Sequence, residues 1–285
     1  MMKVLLTGAT GYIGSAVLDH LVAAGHEVTA PVRTAEAAVK VDASGGHGVV
    51  GDLADTAWLA RQLAGVDAAI QLAALDPDGD DSVIGAVESA FDGTGKRFVY
   101  TGGVWAWGNG ADITESDPYD AGDIIAARIE RIDRVTGGNY RGIVVSPGVV
   151  YGRGAGMTAL IFGDYMKNDD GALKLVGDGS QHWATVYIDD LADLYVRAIE
   201  NGAGGQHYIG AAGHNPTVLE MAETAVGPNG KVAPETVADS QARLSAPFAD
   251  ALLLDEQAFG RKARTELGWD PSGPDTLTVI RQERQ

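Results

Sequence analysis

The octet Thr7-Gly8-Ala9-Thr10-Gly11-Tyr12-Ile13-Gly14 constrains this chain more than any other stretch, because it closes an apolar run at 3–7 and opens an amphipathic segment at 12–24. Glycines spaced three apart at a strand-to-helix junction remove a Cβ wherever a turn, a ligand and a helix must crowd together. Gly8 permits the tight turn, Gly11 lets backbone approach a pyrophosphate, and Gly14 lets the helix pack close to the sheet. The helix N-terminus adds free N–H groups and the positive end of a dipole. The pattern predicts a dinucleotide site; a turn whose glycines serve packing alone is the competing reading.

Short apolar runs at 27–32, 48–51, 68–72, 97–101 and 142–146, bounded by Gly, Pro or Asp, alternate with segments at 12–24, 56–63, 83–90 and 124–135. In those segments apolar residues recur every three or four positions, as helices require. Runs that are apolar throughout suit strands covered on both faces. Right-handed crossovers then predict an α/β fold with a doubly wound parallel sheet of Rossmann type, ligands binding beyond the carboxyl ends of its strands. After Tyr151 come a Gly-rich turn, an amphipathic segment at 158–166 and a run at 173–176. A run at 185–188, a helix at 189–199 and a run at 206–209 predict a return to the main sheet. The expected organisation is a dinucleotide-binding domain from 1–150 and about 184–210, with a smaller, discontinuous substrate domain from about 151–183 and 211–285.

Composition narrows the function. With 21 Lys plus Arg against 39 Asp plus Glu the net charge is −18, which repels a phosphate backbone, so no nucleic-acid partner is expected. The chain has no cysteine, which removes disulfides, thiolate nucleophiles and Cys-ligated metals, and its 6 scattered histidines make no ligand pair at helical spacing. No metal is expected. No stretch approaches the roughly 20 apolar residues of a spanning helix, and the apolar N-terminal run is too short for a signal segment. A cytoplasmic protein without membrane contact is the expectation.

Later segments follow the octet in a fixed order: Gly51-Asp52-Leu53, Gln71-Leu72-Ala73-Ala74, Ser146-Pro147-Gly148-Val149-Val150-Tyr151-Gly152, Val186-Tyr187-Ile188-Asp189-Asp190-Leu191-Ala192 and Leu267-Gly268-Trp269-Asp270-Pro271. Together they resemble the extended short-chain dehydrogenase/reductase superfamily, in its NAD(P)-dependent epimerase/dehydratase branch. The resemblance implies a cofactor site built from Thr7, Gly8, Thr10, Gly11, Tyr12, Ile13 and Gly14. It also implies that Asp52 accepts from the adenine amino group and that Leu53 lends its backbone. Leu72, Ala73 and Ala74 would border ribose and pyrophosphate, and Pro147, Gly148 and Val149 would flank the nicotinamide. Asp52 reads equally as a turn or cap residue, and Ala73-Ala74 as close packing. At Ala30-Pro31-Val32-Arg33-Thr34 no carboxylate stands ready for a ribose 2′-hydroxyl, whereas Arg33 can pair with a 2′-phosphate. NADP is therefore expected, with NAD possible and a solvated Arg33 as the alternative.

The resemblance further implies a Tyr and a Lys four apart on the helix after the fifth run, and a Ser or Thr at that run's end. The chain departs from all three. Alignment on Glu130 places Gly122 and Ala126 at the Tyr and Lys positions, and the run end Tyr100 to Gly108 aligns so that Gly103 falls at the hydroxyl position, with Thr101 two residues earlier. Tyr119, Thr101 and Asp123 are accordingly the candidate catalytic residues, with Tyr151 and His182 as further acids. Tyr119 leads because it follows Pro118 in the loop before the helix; it also reads as a loop tyrosine, and Asp123 as a helix cap. Asp189-Asp190 read as helix-start residues.

The expected function is an NAD(P)-dependent oxidoreductase or epimerase-like enzyme. It would act on a small organic substrate with a non-standard proton donor, or on an activated substrate that draws its proton from water. A non-catalytic NAD(P)-binding redox sensor or scaffold is the alternative. Trp105, Trp107 and Trp183 offer an aromatic lining or else core. Between 151 and 182 the only cations are Arg153, Lys167 and Lys174, too few to suit a sugar nucleotide diphosphate. The charged helix at 124–135 leaves homodimer and monomer both open.

Overall fold

The computed structural model describes residues 1–163 and 166–284, with Asp123 by its backbone alone. In its first half, β1 (Lys3–Leu6), α1 (Tyr12–Ala23), β2 (Glu27–Val32), α2 (Ala35–Ala43), β3 (His47–Val50), α3 (Thr56–Ala64), β4 (Ala68–Gln71), α4 (Pro77–Phe91) and β5 (Arg97–Thr101) alternate strictly. Then follow β6 (Gly110–Ile113), α5 (Asp123–Thr136), β7 (Arg141–Pro147), β8 (Val149–Gly152), α6 (Gly156–Ile161), β9 (Leu173–Lys174), β10 (Thr185–Tyr187), α7 (Ile188–Asn201) and β11 (Gln206–Gly210). The remainder holds α8 (Val218–Val226), β12 (Val232–Ala233), α9 (Val237–Leu244), α10 (Ala246–Leu252), β13 (Glu256–Ala258), α11 (Arg261–Leu267) and α12 (Thr276–Glu283).

A 7-stranded sheet runs β11-β7-β5-β4-β1-β2-β3, every pairing parallel. Alternate residues of its strands feed two separate cores, as the two-residue period of a strand dictates. Val4, Leu6, Ile70, Val99 and Ile143 pack with α1 and α7, whereas Leu5, Ala69, Phe98 and Val144 pack with α3, α4 and α5. Strand order reverses between β1 and β4, which opens a crevice at their carboxyl ends. A further core around Leu173, Leu175, Trp183, Met221 and Leu252 supports the second lobe.

Three sequence expectations need correction. Residues 35–43 form α2, where no helix was expected; it buries only Val41, so its apolar spacing is weak, and it starts because Thr34 Oγ1 accepts from the Ala37 N–H at 3.2 Å. Helix α4 begins at Pro77 rather than at 83, since Asp76 caps it and proline suits the first helical position. Residues 185–188 do not rejoin the main sheet: β10 pairs with β8, and β11 alone returns. Gly148 explains the departure, for a Cβ there would lie 2.4 Å from the Ala184 carbonyl oxygen, and only glycine lets the two segments meet.

On α5, Arg131 grips Asp81 of α4 through Nε at 2.9 Å and Nη2 at 2.7 Å, and Arg134 grips Glu88 at 2.7 and 2.6 Å. Both charges are thus used within the chain. No helix among the described residues is long and apolar enough to cross a membrane, and no group of three or more His, Asp or Glu among them is arranged to hold a metal ion.

Candidate active site

The glycine turn is shaped by what it touches. Gly8 sits at φ +71°, and a Cβ there would lie 2.6 Å from the Leu72 carbonyl; a Cβ on Gly14 would lie 2.0 Å from the Gly8 oxygen. Turn, β4 end and α1 therefore close on one another only without side chains. The N-termini of α2, α3 and α4 are each capped by a side chain, from Thr34, Asp55 and Asp76, but α1 starts at Gly11 with no side-chain cap. Its first-turn N–H groups lack the usual side-chain acceptor, which suits an anionic phosphate.

Thr7 does different work. It is buried, and its Oγ1 accepts from the Leu72 and Ala73 N–H groups at 3.0 and 3.2 Å while also bonding Gln71 Oε1. Gln71 Nε2 donates to Asp80 at 2.9 Å, and the Tyr100 hydroxyl donates to the other Asp80 oxygen at 3.0 Å. Burial and the Asp80 charge raise the Tyr100 hydroxyl well above its ordinary range. This network staples β1 to the loop after β4.

A cleft of about 460 Å³ opens over the carboxyl ends of the strands. Tyr12 and Ile13 form one side, Thr101 to Gly103 the floor, and Pro147 to Val150 the other side. Val104, Trp105, Ile124, Ile125 and Met157 make the rest apolar, and Arg128 brings the one charge among the lining residues. Leu72, Ala73 and Ala74 line an adjoining cavity of about 140 Å³, to which Thr101 and Arg128 also contribute. A groove of about 610 Å³ around Glu220, Arg281 and Arg284 shares no residue with either.

The structure thus brings Tyr12, Ile13, Leu72, Ala73, Ala74, Pro147, Gly148 and Val149 to these two cavities. Arg33 is exposed directly after β2, and the exposed Asp52 accepts from the Ala54 N–H at 2.9 Å, a turn contact. Leu53 is partly buried and packs against the core shared by α3, α4 and α5. Neither Arg33 nor Asp52 lines the two cavities.

Among the nominated catalytic residues, Thr101 lines the cleft, but its hydroxyl donates to the Gln71 carbonyl at 2.8 Å and meets the Tyr195 hydroxyl at 2.8 Å. Tyr119 lies outside the cleft lining, against Trp107, with its hydroxyl 3.1 Å from His207 Nδ1. Burial first, then the charge of Asp133, raises that hydroxyl, the reverse of what a proton donor near neutral pH needs. Asp123 is the first residue of α5, and its side chain lies outside the described residues. Tyr151 donates to the Pro274 carbonyl inside the protein, and His182 pairs with Asp255 at 2.8 Å. Trp107 and Trp183 are core residues, while Trp105 reaches the cleft.

Beneath the floor, His207 Nε2 lies 2.7 Å from Ser146 Oγ, which accepts from the Gly103 N–H at 3.0 Å. Burial pushes His207 down to about 3, so its ring is neutral. With Ser146 donating to Nε2 and Nδ1–H donating to Tyr119, the chain is satisfied and holds Gly103 in place.

On α5 the residues four apart that face the cleft are Ile124 and Arg128, not Gly122 and Ala126. A cation is therefore present on this helix although the phenol is not. The sequence signal that points to it is an arginine four residues after an apolar residue on an otherwise charged helix.

Residues 4–210 match the NAD dependent epimerase/dehydratase family. The chain is 30% identical to the uncharacterized protein YLL056C of Saccharomyces cerevisiae, over 98% of each chain. It is also 30% identical to the 2-alkyl-3-oxoalkanoate reductase of Stenotrophomonas maltophilia, over 74% of this chain and 69% of that one. The human epimerase family protein SDR39U1, solved with NADPH, superposes with a TM-score of 0.73 at 25% identity, covering 99% of both chains.

Proposed function

Because the chain belongs to the NAD dependent epimerase/dehydratase family, and so is an NAD(P)-dependent enzyme of the short-chain dehydrogenase/reductase superfamily, we propose that it reduces a small, largely apolar carbonyl, enone or imine compound with NADPH. The observation that carries this reading is the cleft itself: largely apolar walls, a floor at the strand ends, and Tyr12, Thr101, Trp105 and Arg128 as its side chains with polar groups. A recess with apolar walls and a few convergent polar groups favours catalysis over sensing.

The residues fit the cofactor. The uncapped N–H groups of α1 would receive the pyrophosphate, Gly11 would let the backbone approach it, and Pro147 to Val149 would border the nicotinamide. Arg33, free of any nearby carboxylate on β2, favours a 2′-phosphate. When bound, the reduced nicotinamide supplies the hydride.

The Tyr12 hydroxyl is spent on the Gly152 carbonyl at 2.8 Å, and Thr101 on Gln71. With both hydroxyls engaged, the proton that completes reduction would come from water entering the open cleft. This favours substrates already activated by conjugation or charge over simple unactivated ketones. The test is to follow reduced-cofactor absorbance while NADPH and the protein meet a panel of carbonyl, enone and imine compounds. NADPH-dependent turnover of a panel member, faster than with NADH, supports the reading; cofactor binding without oxidation by any member refutes it.

A further inference from the structure

Resting on that reductase reading, we propose that the substrate carries a neutral alkyl or aryl tail, and that this tail lies in a side pocket between the start of α5 and α10, with Gly122 keeping the space open. The pocket measures about 240 Å³. Trp105, Ile124 and Ile125 line it as well as the cleft, so the two spaces share a wall, and Pro247 and Ala251 of α10, with Leu254 just after it, complete the lining. None of its lining residues belongs to the glycine turn, the loop after β4 or the segment Pro147 to Val149, so the pocket stands apart from the places given to the cofactor.

Three features select the occupant. Ile124, on the shared wall, is 44% exposed, a large apolar surface that a ligand in the pocket would cover. A Cβ on Gly122 would meet no atom within 4 Å, and its φ of −69° suits any residue, so the missing side chain leaves room here without any backbone strain to relieve. Asp250 brings the one charge among the lining residues, and it is negative, so an anionic tail is repelled where a neutral one is not. Trp105 is fixed for its part in the wall by Phe248 of α10, edge-on at 6.4 Å between ring centroids. A substrate whose reducible group meets the nicotinamide in the cleft reaches the pocket past Trp105, Ile124 and Ile125.

The test reads binding, with NADP⁺ saturating so that no turnover intervenes. Conjugated methyl enones whose alkyl tail grows from methyl to hexyl are titrated by calorimetry, each beside the analogue whose tail ends in a carboxylate. Affinity should rise roughly two- to fourfold per methylene until the pocket is full, and the carboxylate analogues should lose that rise. Gly122→Phe should end the rise at a shorter tail and Leu254→Ala should extend it, while in both variants the methyl-tailed enone and NADPH keep their affinities within about twofold. An affinity that does not grow with tail length, carboxylate analogues that gain as much as the neutral ones, or a plateau that neither variant moves would overturn the proposal. So would a Gly122→Phe protein that loses NADPH as strongly as it loses the long enones, since the pocket would then serve the cofactor. Tail-length dependence that the variants shift, without hydride transfer from NADPH to any enone, would overturn the reductase reading and leave the pocket assignment standing.

Discussion

Single residues here do their work through the charge they place or the proton they withhold. Arg33 stands exposed where β2 ends, with no carboxylate to hold a ribose 2′-hydroxyl. Arg33→Asp should therefore cost NADPH about tenfold to a hundredfold in affinity and improve NADH, read by fluorescence titration; unchanged relative affinities would remove the arginine from the site. Ser146→Ala strips the buried acceptor from the Gly103 N–H and should lower the unfolding free energy by about 1–3 kcal/mol in urea. The pH dependence has two limbs. His207, held near 3 by burial, stays neutral when folded although an unfolded histidine protonates near 6.5, so stability is lost as pH falls from 6.5 towards 3, by up to about 1.4 kcal/mol per pH unit. Glu256 acts oppositely: burial raises its carboxyl well above the usual 4.5, so stability is full below 4.5 and declines as pH climbs towards the raised value. Urea midpoints across pH should show both limbs, with Glu256→Gln flattening the alkaline one; an alkaline limb that persists in this variant assigns it to another group. Arg33 and the glycines were legible from sequence because their meaning is local. Ser146, His207 and Arg128 were not, since their roles depend on partners 43 to 61 positions away, or on a helix register that only packing sets.

At the scale of elements, the junction between β1 and α1 carries the argument. Gly14→Val sets a side chain 2.0 Å from the Gly8 oxygen, so the helix must move off the turn that crosses the β4 loop. NADPH affinity should drop by more than tenfold while circular dichroism shows a folded protein; undiminished binding would mean that the helix N-terminus does not receive the pyrophosphate. Strands that are apolar on both faces, such as Arg97–Thr101, were plain from sequence because burial on both sides leaves continuous runs. Helix α2 was not, with Val41 its lone buried residue, nor was β6, a short exposed-edged strand that exists only because Glu256–Ala258 pairs with it. On α5 the apolar spacing was legible, but which of its residues reach the cleft was not: Ile124 and Arg128 do so through packing that no local pattern announces.

For the whole molecule, the doubly wound sheet follows from strand and helix alternation alone, and its reversal between β1 and β4 puts the cleft where the glycine turn lies. Chemistry is less legible at this scale, because the fold carries many reactions and the cleft lacks a tyrosine hydroxyl free to donate. The account rests on hydride passing from the nicotinamide to a substrate held in that cleft. The most direct measurement incubates the protein with NADPH deuterated at C4 on either face, adds the carbonyl, enone and imine panel, and reads deuterium in each product by mass spectrometry. Deuterium in a product, from one face of the ring only, is the predicted result. Bound NADPH with no deuterium in any product would contradict the account.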